Sequence, residues 1–163
     1  MKICDTVNSK LYKNDRAILH SDCNCFYASV ECLLNPNIRD LPVAVSGDAE
    51  NRHGIILAKN EEAKKYNIKT GEAIWQAKKK CPQLLTVPAR LDVYKKFSDK
   101  VRRIYSDYTD MVEPFGLDEA WLDISEDYKN DALTIAKEIS QRVKDEIGIT
   151  VSIGVSFNKI FAK

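Results

Sequence analysis

Three acidic residues have the side chains and the positions that a divalent metal site needs. Asp22 follows a short apolar run, and Asp118-Glu119 stand between the apolar runs 111–115 and 120–124. Runs of this length and composition predict strands, with Asp118 at the tip of a hairpin. Clustered carboxylates repel one another unless a cation lies close by. Mg²⁺ suits an all-oxygen site, and two such ions about 3.5–4 Å apart clamp the attacking and leaving oxygens of a phosphoryl displacement.

The same acids also have an ordinary structural explanation. Acidic residues are common at turns and at helix N-caps. In an arbitrary protein, Asp118-Glu119 would simply form a polar hairpin tip and Asp22 would cap the helix after the first strand. Asp123 lies one strand register further on and is interpreted as a solvated residue outside the site.

Helices and strands that position the acids follow from the hydrophobic spacing. After the first strand, a helix is predicted from Phe26 to the stop at Asn35-Pro36. A long amphipathic helix is predicted with Asp92 as its N-cap, and another from Asp131 to the stop at Gly148, before a last strand at 149–155.

Without the residues from about 32 to 90, the order is strand, helix, strand, strand, helix, strand. This order predicts an α+β fold, a ferredoxin-like βαββαβ domain with a small α/β subdomain inserted in the first crossover. The insertion contains candidate strands at 42–45 and 54–58 and candidate helices at 61–66 and 72–81. Residues 1–15 are interpreted as a tail or a short surface strand. In this topology the first strand lies beside the central hairpin, so Asp22 and Asp118-Glu119 are expected to converge.

Several longer motifs carry a resemblance to a known family. They are Asp22–Glu31 (DCNCFYASVE), 68–73 (IKTGEA), Gly116–Ser125 (GLDEAWLDIS), and Ser152–Lys163 with its blocks SIGVS and NKIFAK. In this order they resemble the motifs of the Y-family (UmuC-like) translesion DNA polymerases, and the resemblance runs from about Arg16 to the last residue.

The resemblance implies a fold and an activity. Residues 1–25 and 90–163 would form the catalytic palm and residues 26–89 the fingers, with the thumb and little-finger domains absent from this chain. The implied activity is DNA-directed DNA polymerase, which transfers a deoxynucleotide to a primer 3′-hydroxyl with two Mg²⁺ ions in translesion synthesis and DNA repair. Primer-template DNA and a dNTP are the implied partners, with a processivity clamp bound through the missing C-terminal part. The fragment alone is expected to have little activity.

The resemblance also assigns roles to individual residues. Asp22, Asp118 and Glu119 correspond to the catalytic metal carboxylates, with the backbone carbonyl of Cys23 as a further ligand and Glu119 nearest the primer 3′-hydroxyl. Tyr27 falls on the steric-gate position, where an aromatic ring excludes a 2′-hydroxyl. The implied nucleotide-binding residues are Cys25, Phe26, Tyr27, Lys64 and Lys159.

The sequence departs from the family pattern in the fingers. Many members have Tyr-Glu-Ala-Arg where this chain has Glu61-Glu62-Ala63-Lys64. Lys64 supplies charge but not the bidentate fork of arginine, and the carboxylate of Glu61 is expected to repel a triphosphate. Asn24 also stands where an acid is common.

Composition limits the remaining classes of function. Lys plus Arg number 25 against 24 Asp plus Glu in 163 residues, so no global basic field marks a stand-alone nucleic-acid binder. Five cysteines without a CxxC pair, and no apolar signal-like opening, favour the reducing cytoplasm. No apolar run is long enough to span a membrane.

Two other functions use the same scaffold. A nucleotide cyclase shares the βαββαβ fold and the two-metal chemistry, but the gate block FYASVE argues against an enzyme that must accept ribonucleotides. A non-catalytic ferredoxin-like module has no need of clustered acids. Further signals are weak: His20 and His53 are isolated, and Lys78-Lys79-Lys80 with Trp75 is interpreted as a solvated helix face in preference to a template contact.

Overall fold

The structure is a computed structural model that describes residues 16–47, 54–126 and 131–163. In chain order its elements are β1 (Ile18–Cys23), α1 (Phe26–Leu34), a 3₁₀ turn (Pro36–Ile38), β2 (Val43–Ser46), β3 (Ile56–Lys59), α2 (Glu61–Lys64), α3 (Ile74–Lys80), β4 (Leu85–Pro88), α4 (Leu91–Ser106), β5 (Val112–Phe115), β6 (Glu119–Asp123), α5 (Ala132–Arg142) with a π-helical continuation (Val143–Ile147), β7 (Val151–Ser156) and α6 (Lys159–Ala162). None of the described helices is long and apolar enough to cross a membrane.

The chain divides into two compact units. The first unit contains the described residues up to Asn24 together with Lys95–Lys163, and the second unit is Cys25–Tyr94. The sequence-based division placed the boundaries after residue 25 and before residue 90. The identification of these parts as palm and fingers stays a prediction.

The first unit is built on a four-stranded antiparallel sheet in the order β5-β6-β1-β7. Its elements follow one another as β1, α4, β5, β6, α5 and β7, which is the βαββαβ arrangement. The fold class predicted from the hydrophobic spacing is therefore confirmed.

The two faces of this sheet have different roles. Leu19 and Ser21 of β1 lie on the face toward α4, where the Ser21 hydroxyl is 2.7 Å from the Tyr105 hydroxyl and both residues are buried. His20 and Asp22 alternate with them and therefore lie on the opposite face. Asp22 and His20 thus lie on the face opposite the buried Ser21–Tyr105 contact.

The second unit contains a three-stranded sheet in the order β3-β2-β4, with β2 antiparallel to β3 and parallel to β4. Its helices α1, α2 and α3 supply part of the packing. The buried cluster of this unit consists of Ala44, Ile56, Ala63, Ile68, Ala77, Cys81 and Leu84.

Three local details differ from the sequence analysis. Strand β4 was not predicted, because it is short, only partly buried and ends in Pro88, so it has no clear alternation. Helix α4 begins at Leu91, which places Asp92 in the first turn instead of at the N-cap. Asp123 is not solvated: its side chain is 11% exposed and is bonded to Arg16 and Ser125. The predictions for residues 1–15 and for His53 fall outside the described residues.

Candidate active site

Strand pairing brings the three predicted metal carboxylates together. In the β1–β6 ladder Asp22 lies directly opposite Glu119. The backbone N–H of Cys23 donates to the carbonyl oxygen of Asp118 at 2.9 Å, which fixes the hairpin tip beside the end of β1. The acids are therefore neighbours on one sheet edge although about a hundred residues separate them in the chain.

The turn before β6 depends on Gly116. Its φ of +68° lies in the left-handed region, which a residue without a Cβ adopts without strain. The guanidinium of Arg102 in α4 donates to the Gly116 carbonyl oxygen at 2.5 Å. This turn directs Asp118 and Glu119 toward the end of β1.

The pKa values of Asp22 and Asp118 are both raised, as expected for partly buried acids that lie near other acids. Burial raises the pKa of Asp22, and the like charges of Glu119 and Asp118 raise it further. Burial also raises the pKa of Asp118, and the charge of Glu119 adds to this effect against a hydrogen bond from the backbone. A divalent cation placed between them would remove the repulsion and favour the ionised forms.

Glu119 has the opposite balance. Burial alone would raise its pKa, but hydrogen bonds from Lys163 and His20 outweigh burial and lower the pKa. His20 Nε2 is 2.8 Å from Glu119 Oε2, and Lys163 Nζ is 2.5 Å from the same oxygen. One acid of the cluster is therefore already neutralised by side chains of the protein.

The oxygen donors at the end of β1 are of the kind that suits Mg²⁺. Among the described residues, however, no three His, Cys, Asp or Glu side chains stand close enough together to hold a metal, and Glu119 is bonded to His20 and Lys163. The Cys23 thiol is buried, which raises its pKa to about 12, so the residue offers its carbonyl oxygen and not a thiolate. Carboxylates and a carbonyl are the hard oxygen ligands that Mg²⁺ prefers.

Close packing of α6 on β7 delivers two lysines to the same face of the sheet. Gly154 lies opposite His20 in the β1–β7 ladder, and a Cβ at this position would overlap the carbonyl oxygen of Ala162 in α6. Glycine is thus required for this approach. Lys163, just after α6, reaches Glu119, whereas Lys159 binds Glu113 and lies 5.5 Å from the centre of the Trp121 ring.

Lys159 was predicted from the sequence as a nucleotide contact, whereas Lys163 and His20 were not predicted as neighbours of the acids. His20 had been set aside as isolated, yet it is 5% exposed and its ring centre is 4.9 Å from that of Trp121. A signal was available, because His20 stands two residues before Asp22 and strand residues at this spacing share a face.

The predicted nucleotide-binding residues of the second unit lie around the start of α1. Cys25 has a left-handed φ of +52° and precedes the helix, and no described side chain accepts an N-cap hydrogen bond there. The ring of Phe26 is buried, so only its backbone remains available, whereas Tyr27 is half-buried and its ring stacks on that of Tyr94.

Lys64 is engaged within its own helix. Its Nζ is 2.7 Å from Glu61 Oε1, and this hydrogen bond is the main reason that the pKa of Lys64 is raised. Cys25 Sγ lies 3.3 Å from the same carboxylate oxygen. The charge of Glu61, which was expected to repel a triphosphate, is therefore compensated by Lys64, and Lys64 has correspondingly less charge to offer a ligand.

The sequence of this chain matches the model of a known protein family. Residues 21–163 match the model of the IMS family, described as the impB/mucB/samB family. The chain is a member of the impB/mucB/samB family. The predicted resemblance to the Y-family polymerases is therefore confirmed.

The relatives that this chain matches are named as DNA polymerases. The chain is 60% identical over 150 residues to a protein named DNA polymerase IV from Acetivibrio thermocellus, covering 91% of this chain and 38% of that protein. It is 44% identical to the DNA polymerase IV of Moorella thermoacetica, covering 94% of this chain and 39% of that protein. The chain thus spans about two fifths of the length of these relatives.

Solved structures show the same fold. The crystal structure of DinB from Sulfolobus solfataricus matches with a TM-score of 0.84 and 31% identity, covering 90% of this chain and 43% of that one. An insertion ternary complex of Dbh DNA polymerase matches with a TM-score of 0.84 and 30% identity, covering 90% and 44% of the two chains.

Proposed function

We propose that this chain is the catalytic part of a DNA-directed DNA polymerase that acts in translesion synthesis and DNA repair. The observation that carries the proposal is the cross-strand pair Asp22–Glu119 with Asp118 beside it, in a chain of the impB/mucB/samB family. Its substrates are a primer-template DNA and a dNTP, and its product is a primer extended by one deoxynucleotide.

The proposed metal ligands are the carboxylates of Asp22, Asp118 and Glu119 and the carbonyl oxygen of Cys23. When bound, two Mg²⁺ ions supply charge neutralisation and Lewis acidity for phosphoryl transfer. Glu119 would have to release Lys163 to hold a metal ion, and we propose it as the carboxylate nearest the primer 3′-hydroxyl. The raised pKa values of Asp22 and Asp118 support this assignment, because they come from burial first and then from the neighbouring negative charge, and a bound cation would offset both.

Each unit contains residues that we propose as nucleotide contacts. In the second unit, the backbone at Cys25 and Phe26 faces the triphosphate, since a helix start attracts phosphate, and Lys64 adds charge. Tyr27 is the gate that excludes a 2′-hydroxyl. In the first unit, Lys159 contacts the triphosphate once it releases Glu113.

Two further parts of the proposal concern the whole protein. We place it in the cytoplasm, in agreement with the four free cysteines among the described residues and the proposed DNA substrate. We also propose that a processivity clamp is a partner of the protein. Because the chain spans about two fifths of the length of its relatives, we further propose that the 163 residues alone extend primers poorly.

Primer extension by a chimera tests the proposal. Residues 16–163 replace the matching segment of the Acetivibrio thermocellus relative, and extension is measured with Mg²⁺ and dNTPs. We expect the parent chimera to extend and Asp118→Ala to lose about a hundred-fold or more in rate, since metal stabilisation of the transition state is worth several kcal/mol. The exposed acid Asp107, paired with Arg142, provides the control Asp107→Asn. Equal rates for Asp118→Ala and Asp107→Asn would contradict the proposal. Efficient extension by the 163-residue chain alone would contradict the proposal that this chain extends primers poorly.

A further inference from the structure

The last residue of the first motif, Glu31, has no role in the proposed chemistry, yet it is bound more completely than any acid of the metal site. It lies in α1 and is 6% exposed. Arg90 donates to both of its oxygens, from Nε to Oε1 at 3.0 Å and from Nη2 to Oε2 at 2.5 Å. The hydroxyl of Tyr94 donates to Oε1 at 2.7 Å. A buried carboxylate is thus held in one orientation by a bidentate fork and a third donor.

The donors keep their protonated forms. The hydrogen bond to Glu31 raises the pKa of Arg90, whose guanidinium stays charged. Burial, followed by the bond to Glu31, raises the pKa of the Tyr94 hydroxyl, so it remains a neutral donor. Tyr94 is fully buried, and its N–H donates to the carbonyl oxygen of Arg90 at 3.1 Å, which ties both donors to the start of α4.

The cluster of Glu31, Arg90 and Tyr94 contacts Tyr27, the residue assigned as the gate. The rings of Tyr27 and Tyr94 stack with their centres 4.3 Å apart and their planes 12° from parallel. Tyr27 and Glu31 are four residues apart in α1 and share one face of the helix. Phe26 adds ring contacts at 5.6 Å to Tyr27 and 6.4 Å to Tyr94. Glu31 therefore fixes the hydroxyl end of the ring on which Tyr27 rests.

A gate that excludes a single hydroxyl group needs its ring held in place, because a small shift of the ring opens space for one oxygen atom. We propose that Glu31, through Arg90 and Tyr94, is a positioning residue that sets the selectivity of the Tyr27 gate for deoxyribonucleotides over ribonucleotides. This inference rests on the proposed function. A stabilising role alone does not account for the arrangement, since apolar residues of similar volume stabilise a core as well as a buried ion pair.

Tyr94→Phe is the sharpest variant, because it removes only the hydroxyl and leaves the stacked ring. Glu31→Gln keeps one acceptor oxygen, and Arg90→Lys keeps the charge but loses the fork. In the chimera described above, kcat/KM is measured for a dNTP and for the matching rNTP opposite the same template base. Tyr27→Ala provides the reference for a lost gate, and Glu62→Gln, in an exposed pair with Lys65, provides the control.

We expect Tyr94→Phe and Glu31→Gln to lower the dNTP/rNTP ratio about ten-fold, a size typical of one misplaced contact, through a gain in rNTP use with dNTP use changed less than about three-fold. Adding Tyr94→Phe to Tyr27→Ala should lower the ratio no further, because the two rings act as one unit. An unchanged ratio in Tyr94→Phe would overturn the inference while leaving the polymerase assignment intact. Failure of the parent chimera to extend primers would instead contradict the proposed function.

Discussion

The two units handle their buried carboxylates in opposite ways. In the second unit Glu31 is matched by the Arg90 fork and the Tyr94 hydroxyl, so both of its oxygens are satisfied within the protein. In the first unit Asp22 and Asp118 lie beside Glu119 with raised pKa values, and among the described ion pairs of these three acids it is Glu119 that is bonded to a cation, Lys163. One carboxylate site is complete, and the other is short of positive charge.

This difference separates a positioning cluster from a binding site. A satisfied carboxylate rigidifies its surroundings, whereas acids placed together without a matching cation destabilise the fold until a ligand supplies one. The first arrangement supports a fixed ring at Tyr27, and the second supports a metal site at the end of β1. If the contrast is real, substitutions in the two clusters should change stability in different ways.

Removing the matched carboxylate should be the most damaging change. Glu31→Ala leaves the Tyr94 hydroxyl buried without its acceptor and Arg90 without its partner, so we expect a loss of about 3 kcal/mol in the free energy of unfolding. Arg90 is 45% exposed and can turn to water, which keeps the loss at the lower end of the usual range. Urea unfolding measures the loss, with Glu62→Ala as the control, expected to change stability by about 1 kcal/mol or less. Equal effects of the two substitutions would show that the Glu31 cluster is not a special site.

Displacing α6 should move Lys163 away from Glu119 and lower the stability of the first unit. Gly154→Ala places a methyl group against the Ala162 carbonyl oxygen, and we expect a loss of about 1–3 kcal/mol as α6 moves with Lys163. Gly47→Ala, where the added methyl meets no atom of the described residues within 4 Å, provides the control. Urea unfolding of both variants checks the difference, and a fully tolerated Gly154→Ala would contradict the close packing of α6 on the sheet.

Neutralising an unmatched acid should stabilise the protein. Without divalent ions, we expect Asp118→Asn to raise Tm by about 2–4 °C, the shift that about 1 kcal/mol gives at this size. Asp123→Asn should lower Tm, because the pKa of Asp123 is lowered, burial being outweighed by its bonds to Ser125 and Arg16. Thermal unfolding of both variants tests the opposite signs, and the same sign for both would contradict the contrast.

The stabilisation by Asp118→Asn should also depend on pH. Because the folded pKa of Asp118 lies above its ordinary value of 3.8, ionisation costs stability as pH rises through the raised pKa. The neutral acid below 3.8 carries no such cost, so the advantage of Asp118→Asn should be small there and grow with increasing pH. Asp118→Asn also removes a like charge from beside Glu119 and Asp22, so their ionisation costs less stability in the variant and adds to its advantage as pH rises. A Tm difference that does not change with pH would contradict this assignment.

The buried hydroxyl of Ser98 is an uncharged group that lacks a hydrogen-bond partner among the described residues. We expect Ser98→Ala to raise the free energy of unfolding by about 1 kcal/mol, since the desolvation cost of the hydroxyl disappears. Urea unfolding measures the change, and a destabilised variant would reveal a partner for the hydroxyl.

Much of the fold follows from local sequence patterns, because strand and helix periodicities are local properties. The helix from Phe26 to the residue before Asn35 and the hairpin around Asp118 were both predicted within one or two residues. Topology then placed Asp22 beside Asp118 and Glu119. Strand β4 escaped prediction, since its pairing with β2 depends on a partner about forty residues away.

The contacts that complete each site were not predictable in the same way. Glu31 and Arg90 are 59 residues apart, and Glu119 and Lys163 are 44 apart, so no local spacing links them. The family motifs contain Glu31 and Lys163 but do not by themselves show what these side chains touch. Only the packing of the elements shows that one acid is matched and that others are not.

The central claim is that Asp22, Asp118 and Glu119 form a divalent metal site that works with a nucleotide. Calorimetric titration of Mg²⁺ into the chimera with a non-hydrolysable dNTP tests this claim, with Asp118→Ala as the test variant and Asp123→Asn, at the far end of β6, as the control. We predict that Asp118→Ala weakens Mg²⁺ binding by about ten-fold or more, the loss of one charged ligand being worth at least about 1.4 kcal/mol, and that Asp123→Asn binds like the parent. Equal Mg²⁺ affinity in the parent and in Asp118→Ala would contradict it.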